Sequence, residues 1–374
     1  MCKQVYFDSA ATSRFKPKCV IEAVKKELSY SSNPGRSGHT SAIKSALMIE
    51  QARDAVRLIT GAGHVIFTKN CTEALNIAIF GSNLKGEVIT SVFEHNSIIR
   101  PLKALELSGK IRVRYIKPSS NTITVDEVKK LITTHTSAIV ISEMSNVTGA
   151  IHDTQNIFKL AKKYNILTIL DIAQSTGHIF SDYSNVDIVC ASGHKGLHGP
   201  QGTGFLHFKD HISLKPLILG GTGIMSLSEY HPNILPESLE SGTLNSPGIC
   251  GLKEGILWTH QRRHEIHCFL STLSKLLLDG LRGLQLGDIY AEDGSFVISF
   301  NIGHTPSETV ANILDNKYNI ACRSGLHCAP LAHKHMGTKE QGAVRVSLGL
   351  NNTKKDVYKL IDALVAISKD LGKI

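Results

Sequence analysis

The sequence predicts an α/β protein in which a large domain built on a mostly parallel, doubly wound sheet is followed by a smaller α+β domain. Short strand-like apolar runs alternate with helical segments over residues 64–208, and a different pattern takes over after residue 250. In chain order the runs are "HVIFT" (64–68), "EVITS" (87–91), "IRVRYI" (111–116), "AIVISE" (138–143), "ILTILDI" (166–172), "DIVCAS" (187–192) and "GTGFLHF" (202–208). Between them "TEALNIAIFG", "NSIIRPLKALELSG" and "DTQNIFKLAKKYN" place apolar residues three and four apart, the spacing of a one-sided helix. From residue 251 a single long helix is expected over "GLKEGILWTHQRRHEIHCFLSTLSKLLLDGL". Strands around "SFVISFNI" and "GAVRVSLGL" and a closing helix from about Lys354 follow it. The expected division is 14–255 for the large domain and 256–374 for the small one, with residues 1–13 packing near the latter.

Composition narrows the setting. A chain of 374 residues, 42% hydrophobic and 20% charged, is neither disordered nor fibrous. The first residues carry Asp8 and no apolar stretch of signal-peptide length, and no later run approaches a membrane span, so a cytoplasmic protein without a membrane partner is expected. The net charge of +9 is spread without lysine or arginine runs or interleaved aromatics. It favours anionic ligands or an acidic partner over nucleic acid. Eight cysteines (2, 19, 71, 190, 250, 268, 322 and 328) include no C-x-x-C pair, which points to free thiols and no metal site.

The chemistry concentrates in "DIVCASGHKGLHGPQGTGFL" (187–206), where a strand runs into Ser192, His194 and Lys195 and then into a glycine-rich turn. An amine at a strand end lies where open α/β sheets bind ligands. Upstream, "ILTILDIAQSTGH" puts Asp171 at the end of a buried strand, with Gln174 three residues on. A buried carboxylate needs a cationic or hydrogen-bonding partner. The protonated ring nitrogen of pyridoxal phosphate would be one, with Lys195 as the Schiff-base lysine, so the two residues explain one another.

These motifs, with "YFDSAATS", "TKNCTEALN", "FEHNSI", "SNVTGAI", "ESGTLN", "CRSGLHCAP" and "VRVSLGLNNT", run in family order along nearly the whole chain. The chain resembles a class V aminotransferase-fold enzyme and, within that group, a cysteine desulfurase of the SUF-type (group II) subgroup, whose relatives include selenocysteine lyases. The resemblance implies the aspartate aminotransferase-like, fold type I transferase fold, with pyridoxal 5'-phosphate as cofactor in the large domain and a homodimer as the working unit. It implies that Lys195 carries the cofactor and shuttles the substrate Cα proton. Asp171 would pair with the ring nitrogen, His95 would stack on the ring, Gln174 would bond the phenolic oxygen, and Asn146 would lie by that oxygen and the substrate carboxylate.

The amides of Cys71 and Thr72 open a helix after a strand, a setting that suits an anion. By resemblance Thr72, Ser192 and His194 are phosphate ligands, and Thr243 reaches the neighbouring subunit's phosphate. Cys71 stands where the family commonly has a small residue. A planar guanidinium suits a carboxylate. The resemblance gives the substrate carboxylate to Arg345, support of the active-site loop to Arg323, and a contact from the partner subunit to Arg36, beside Gly35 where many relatives have histidine.

In "CRSGLHCAPLAHKH" (322–335) two cysteines compete for one role. The SUF-type pattern puts the nucleophile five residues after the arginine, which selects Cys328 and leaves Cys322 outside. Nearby positive charge favours a thiolate, and His327 and the basic residues of the pocket are expected to supply it. The implied reaction takes sulfur from L-cysteine, releases alanine and leaves a persulfide on Cys328 for an acceptor protein or small thiol, and the short loop implies that the acceptor reaches in. Selenocysteine lyase, another class V lyase and a non-catalytic basic binding protein are the alternatives.

Overall fold

The structure, a computed structural model, describes residues 4–30, 32–34 and 37–371. Its first elements are β1 (Val5–Tyr6), α1 (Lys18–Tyr30), α2 (Thr40–Thr60), β2 (His64–Thr68), α3 (Cys71–Gly81), β3 (Gly86–Ser91), α4 (Asn96–Leu107) and β4 (Ile111–Ile116). There follow α5 (Val125–Lys129), β5 (Thr136–Ser142), α6 (Thr154–Lys163), β6 (Leu167–Asp171), β7 (Ile188–Ser192), β8 (Gly204–Phe208) and α7 (Ser246–Gln261). The chain closes with α8 (Arg263–Leu284), β9 (Ile289–Tyr290), β10 (Val297–Phe300), α9 (Ser307–Tyr318), β11 (Ile320–Ala321), α10 (Pro330–His335), β12 (Val344–Ser347) and α11 (Lys354–Asp370).

Seven strands form one sheet in the order β2-β8-β7-β6-β5-β3-β4. The pairings are parallel except those of β8, which runs antiparallel to both neighbours. Alternate side chains go to opposite faces. Val65, Ile89, Ile139, Ile141 and Val189 meet α2, α6 and α7 on one side, whereas Ile66, Val88, Val140, Ile169 and Cys190 meet α3 and α4 on the other. Both faces are therefore covered, as the near-continuous apolar runs of the strands require. The parallel order also brings the carboxyl ends of β3, β5, β6 and β7 to one edge.

The C-terminal core gathers α8, α9 and α11 on the antiparallel sheet β12-β10-β9, and Val5 and Phe7 belong to it. β1 pairs with β11, so the N-terminal strand crosses the whole chain to reach this core. The long helix expected from residue 251 is instead two helices that meet at Arg262. The reason is packing: Ile249, Leu252 and Ile256 of α7 are buried with the large sheet, whereas Ile266, Leu270 and Leu273 of α8 are buried in the C-terminal core. One straight helix cannot face both. The expected boundary at 255/256 falls inside α7.

The fold keeps eight histidines neutral: His95, His152, His178, His194, His198, His207, His327 and His333 are held at about 4, 4, 4, 4, 3, 4, 2 and 4, with burial the first cause for each. Such a group contributes stability fully above its unfolded value of about 6.5 and loses it as pH falls toward the folded value. Burial raises Glu94 to about 7, and raises Glu143 and Asp171, which act in the opposite sense over part of the same window. The histidines outnumber them. The melting temperature is therefore expected to fall from about pH 6.5 to about pH 5, each unmatched histidine adding about 1.4 kcal/mol per pH unit to the slope. A melting curve that is flat or rising on acidification through that window would contradict this balance.

Candidate functional site

A cleft at the carboxyl edge of the sheet is lined by Thr72, His95, Asn146, Asp171, Gln174, Ser192, His194 and Lys195, with Cys71 on its wall. They come from the ends of five elements: Cys71 and Thr72 open α3, His95 caps α4, Asn146 follows β5, Asp171 and Gln174 lie at the end of β6, and Ser192, His194 and Lys195 at the end of β7. Asp171 closes β6 and Ser192 closes β7, and the parallel register sets Asp171 beside Cys190. The Lys195 turn is pressed against the turn after β6 by two glycines. A Cβ on Gly177 would lie 2.2 Å from the Gly196 carbonyl oxygen, and one on Gly196 would lie 2.1 Å from the Thr176 carbonyl oxygen. Only bare backbone at these two positions lets the turns after β6 and β7 pack this closely.

The Asp171 carboxylate accepts from the Ala173 amide at 2.8 Å and from the Cys71 thiol at 3.3 Å, both on Oδ1. Burial raises its pKa, and the Ala173 amide and Lys195 pull the other way. Burial lowers the Lys195 amine, which Asp171 partly restores. Cys71 is no empty substitution: burial and then Asp171 push its thiol well up, so it stays a proton donor to the carboxylate.

His95 is the N-cap of α4, and its Nδ1 accepts from the Ser97 amide at 3.1 Å and lies 2.8 Å from the Ser97 hydroxyl. Nδ1 is thus an acceptor, and the neutral ring carries its hydrogen on Nε2. Burial holds it near 4, helped by Lys195, Arg323 and Arg345. The Thr72 hydroxyl lies 2.8 Å from the Ser97 hydroxyl and, with Ser97 donating to His95, donates to it. Thr72 therefore offers an anion its backbone N–H first. Asn70 caps α3 through the Glu73 amide.

Pyridoxal phosphate, which the resemblance implies, meets a matching set of groups. The Ser192 hydroxyl and His194 Nδ1 are buried without a partner among the described residues, and the N-terminus of α3 faces the same cleft, so two orphaned polar groups and a helix dipole converge where a phosphate would sit. The Asp171 carboxylate lies on the same wall for the ring nitrogen. Gln174 spends one amide hydrogen on the Ala10 carbonyl at 3.1 Å and keeps another.

Cys328 joins this edge through its backbone. The Asn96 amide donates to the Cys328 carbonyl at 2.7 Å, and the Asn146 side chain donates to the His327 carbonyl at 2.7 Å. His327 and Cys328 both adopt left-handed backbone, at φ 51° and 57°. That geometry costs roughly 1 kcal/mol or more per non-glycine residue, and these two clamps hold it. The thiol is exposed, 3.9 Å from Arg323 Nη2. Sequence reasoning expected His327 to help charge the thiol. It does not, because burial holds that imidazole neutral, at about 2, and the cation at the sulfur is Arg323.

Cys322 is half-buried against the C-terminal core, and burial, with Asp8 and Asp315, pushes its thiol up to about 12. Arg345 is buried. Its guanidinium donates to Asp8 at 3.0 Å and to the Asn146 carbonyl at 2.9 Å, and its Nε has no partner. The backbones of Arg323 and Arg345 are bridged to each other. Thr243 stands apart from the cleft, exposed in a groove with Lys69, Glu73 and Asn245. Arg36 lies outside the described residues. Sequence reasoning passed over Ser97, Asp8 and Asn96. Ser97 and Asp8 were in view, inside the "EHNS" and "YFDSAATS" motifs, but the backbone role of Asn96 leaves no signal.

The Aminotransferase class-V family model matches residues 5–360. A protein named probable cysteine desulfurase from Methanothermobacter thermautotrophicus is 31% identical, over 97% of this chain and 94% of that one. Another of that name from Borreliella burgdorferi is 32% identical, over 98% and 92%. Among solved structures, the apo cysteine desulfurase of Thermococcus onnurineus superposes with a TM-score of 0.91 at 30% identity, over 98% of this chain and 95% of that one. The cysteine desulfurase CsdA of Escherichia coli, in its S-sulfonic acid form, superposes with a TM-score of 0.87 at 27% identity, over 97% and 94%.

Proposed function

The chain belongs to the class V aminotransferase family, and from that premise we propose that it is a pyridoxal-phosphate-dependent cysteine desulfurase of the SUF-type subgroup that converts L-cysteine to alanine and a persulfide on Cys328. The observation that carries the reading is an exposed thiol set beside a guanidinium by a loop bonded directly to the cofactor-site residue Asn146 and to Asn96, the neighbour of His95. A class V transaminase has no use for such a thiol.

Bound pyridoxal phosphate supplies an electron sink at the substrate Cα. The residues of the chain do the rest. Ser192, His194 and the first amides of α3 hold the phosphate, with Thr72 assisting and Thr243 serving the neighbouring subunit. Asp171 would hold the proton of the ring nitrogen, and His95, kept neutral by burial, would lie against the ring without adding charge. Gln174 and Asn146 serve the phenolic oxygen. Arg345, already neutralised by Asp8, takes the substrate carboxylate with its remaining N–H groups. Lys195 would anchor the cofactor, and its free amine would accept the substrate Cα proton. Cys328 Sγ then attacks the substrate sulfur: an S–S bond forms, the Cβ–S bond breaks, and its electron pair is taken up on the carbon side, where a proton completes the methyl group of alanine. Arg323 steadies the negative charge on sulfur. The persulfide passes its outer sulfur to a thiol of the acceptor.

The working unit in this reading is a homodimer, supported by exposed Leu217 and Ile218, which share a groove with Thr243, and by the exposed Leu219, Leu227 and Tyr230 that follow them in the chain. Arg36 would enter the partner's site. Among the described residues no helix is long and apolar enough to cross a membrane, and the cysteines are free thiols. Holoprotein given L-cysteine is expected to release alanine, to carry one extra sulfur on the Cys328 peptide, and to sediment at twice the chain mass. Alanine release without sulfur on that peptide, or an active monomer, would remove the corresponding part of the proposal.

A further inference from the structure

The nucleophile loop leads into α10, and two histidines and a threonine link them in a way the reaction does not use. His327 Nδ1 lies 3.3 Å from His333 Nε2, and the Thr338 hydroxyl lies 2.8 Å from His333 Nδ1 and 3.5 Å from the His333 carbonyl oxygen. All three side chains are buried. We propose that this Thr338–His333–His327 chain positions the Cys328 nucleophile, with His333 and Thr338 as positioning residues that do not touch substrate.

His327 and Cys328 are consecutive non-glycine residues in left-handed geometry, so something must hold the His327 side chain where that geometry puts it. Its ring has one partner among the described side chains, His333, and His333 is fixed in turn by Thr338, three residues beyond the end of α10. A chain of three hydrogen-bonded groups in a dry site orients each member more firmly than a single bond would.

The helix that carries His333 is itself docked. Ala329 and Ala332 share a small core with Val92, Phe93 and Val147, which lie on the segments that bring His95 and Asn146 to the cleft. The loop is thus bolted at three places: Asn96 on the Cys328 carbonyl, Asn146 on the His327 carbonyl, and His333 on the His327 ring. Only the last runs through side chains that no other part of the site needs. Both histidines are neutral, so the chain conveys geometry rather than charge. Its product is the placement of the sulfur beside Arg323.

The proposal rests on Cys328 as the nucleophile, and its test reads the thiol separately from turnover. Thr338→Val keeps the side-chain shape and spares the backbone bonds from the Thr338 amide to the His333 carbonyl and from the Gly342 amide to the Thr338 carbonyl. In holoprotein, alkylation of Cys328 by iodoacetamide, followed on its own peptide, and single-turnover persulfide formation are both expected to slow about fivefold, the factor of one net hydrogen bond. The cofactor absorption band and the KM for cysteine should not move, Thr338→Ser should restore both rates, and His333→Phe should repeat the loss. Wild-type rates in Thr338→Val, or an equal loss in Thr338→Ser, overturn the proposal. A Thr338-dependent alkylation rate in a wild-type protein that forms no persulfide would instead overturn the desulfurase reading and leave the positioning role standing.

Discussion

Lys195→Ala is expected to lower alanine release from L-cysteine by about 10³-fold or more, within the range a positioned acid–base group supplies. The amine sits in the cleft with the Asp171 carboxylate, and burial lowers its pKa, so a free neutral amine is accessible once the substrate has displaced it. A lysine on an open loop would stay protonated and take up no proton. On the proposed role of Lys195 as the covalent anchor of the cofactor, gel-filtered protein of the same variant should lose the visible absorption band that wild type keeps. Lys195→Arg tests the role of the base apart from charge, because a guanidinium stays protonated at any working pH. It should be as inactive as the alanine variant. A Lys195→Ala protein that keeps more than about a tenth of its activity would exclude the amine as the base, since loss of such a group costs far more.

The residues that made this site legible in the sequence share one property: each is a polar group that ends an apolar run. Asp171 follows "ILTIL", and Ser192, His194 and Lys195 follow "DIVCA", so their presence at strand ends stands out before any fold is known. A parallel sheet then brings such ends together whatever the details of its helices. The structure places nine of the residues anticipated for the cofactor around one cleft for that reason.

What stayed hidden depends on partners distant in the chain. Nothing local marks Asp8 as the partner of Arg345, because 337 positions separate them. The Asn96 amide that holds the Cys328 carbonyl is a backbone group that any residue could supply. The break between α7 and α8 lies within a continuous helical pattern, and only the existence of two cores explains it. His327 misled for a related reason. Sequence adjacency to Cys328 suggested a charged neighbour, but burial turns its ring toward His333 and keeps it neutral, whereas Arg323, five residues away, reaches the sulfur.

Cys328→Ser is expected to abolish alanine release from L-cysteine while leaving much of the activity toward L-selenocysteine. A hydroxyl is too weak a nucleophile toward sulfur, and cysteine is unusual among side chains in having a useful anionic fraction near neutrality. The weaker carbon–selenium bond can break without a nucleophile at selenium, so the two substrates separate the task of the thiol from that of the cofactor pocket. Cys322→Ser should change both activities only modestly, because that side chain is half-buried against the C-terminal core and its thiol, pushed up to about 12, is protonated at working pH. Its replacement is a packing change, costing on the order of 1 kcal/mol of stability. The comparison is decisive because six positions separate the two cysteines, yet they face different environments: one is held beside Arg323 and open to an acceptor, and the other is turned into the small domain. Extra sulfur on the Cys322 peptide, or full desulfurase activity in Cys328→Ser, would show that placement of the sulfur beside a cation is not what selects the nucleophile.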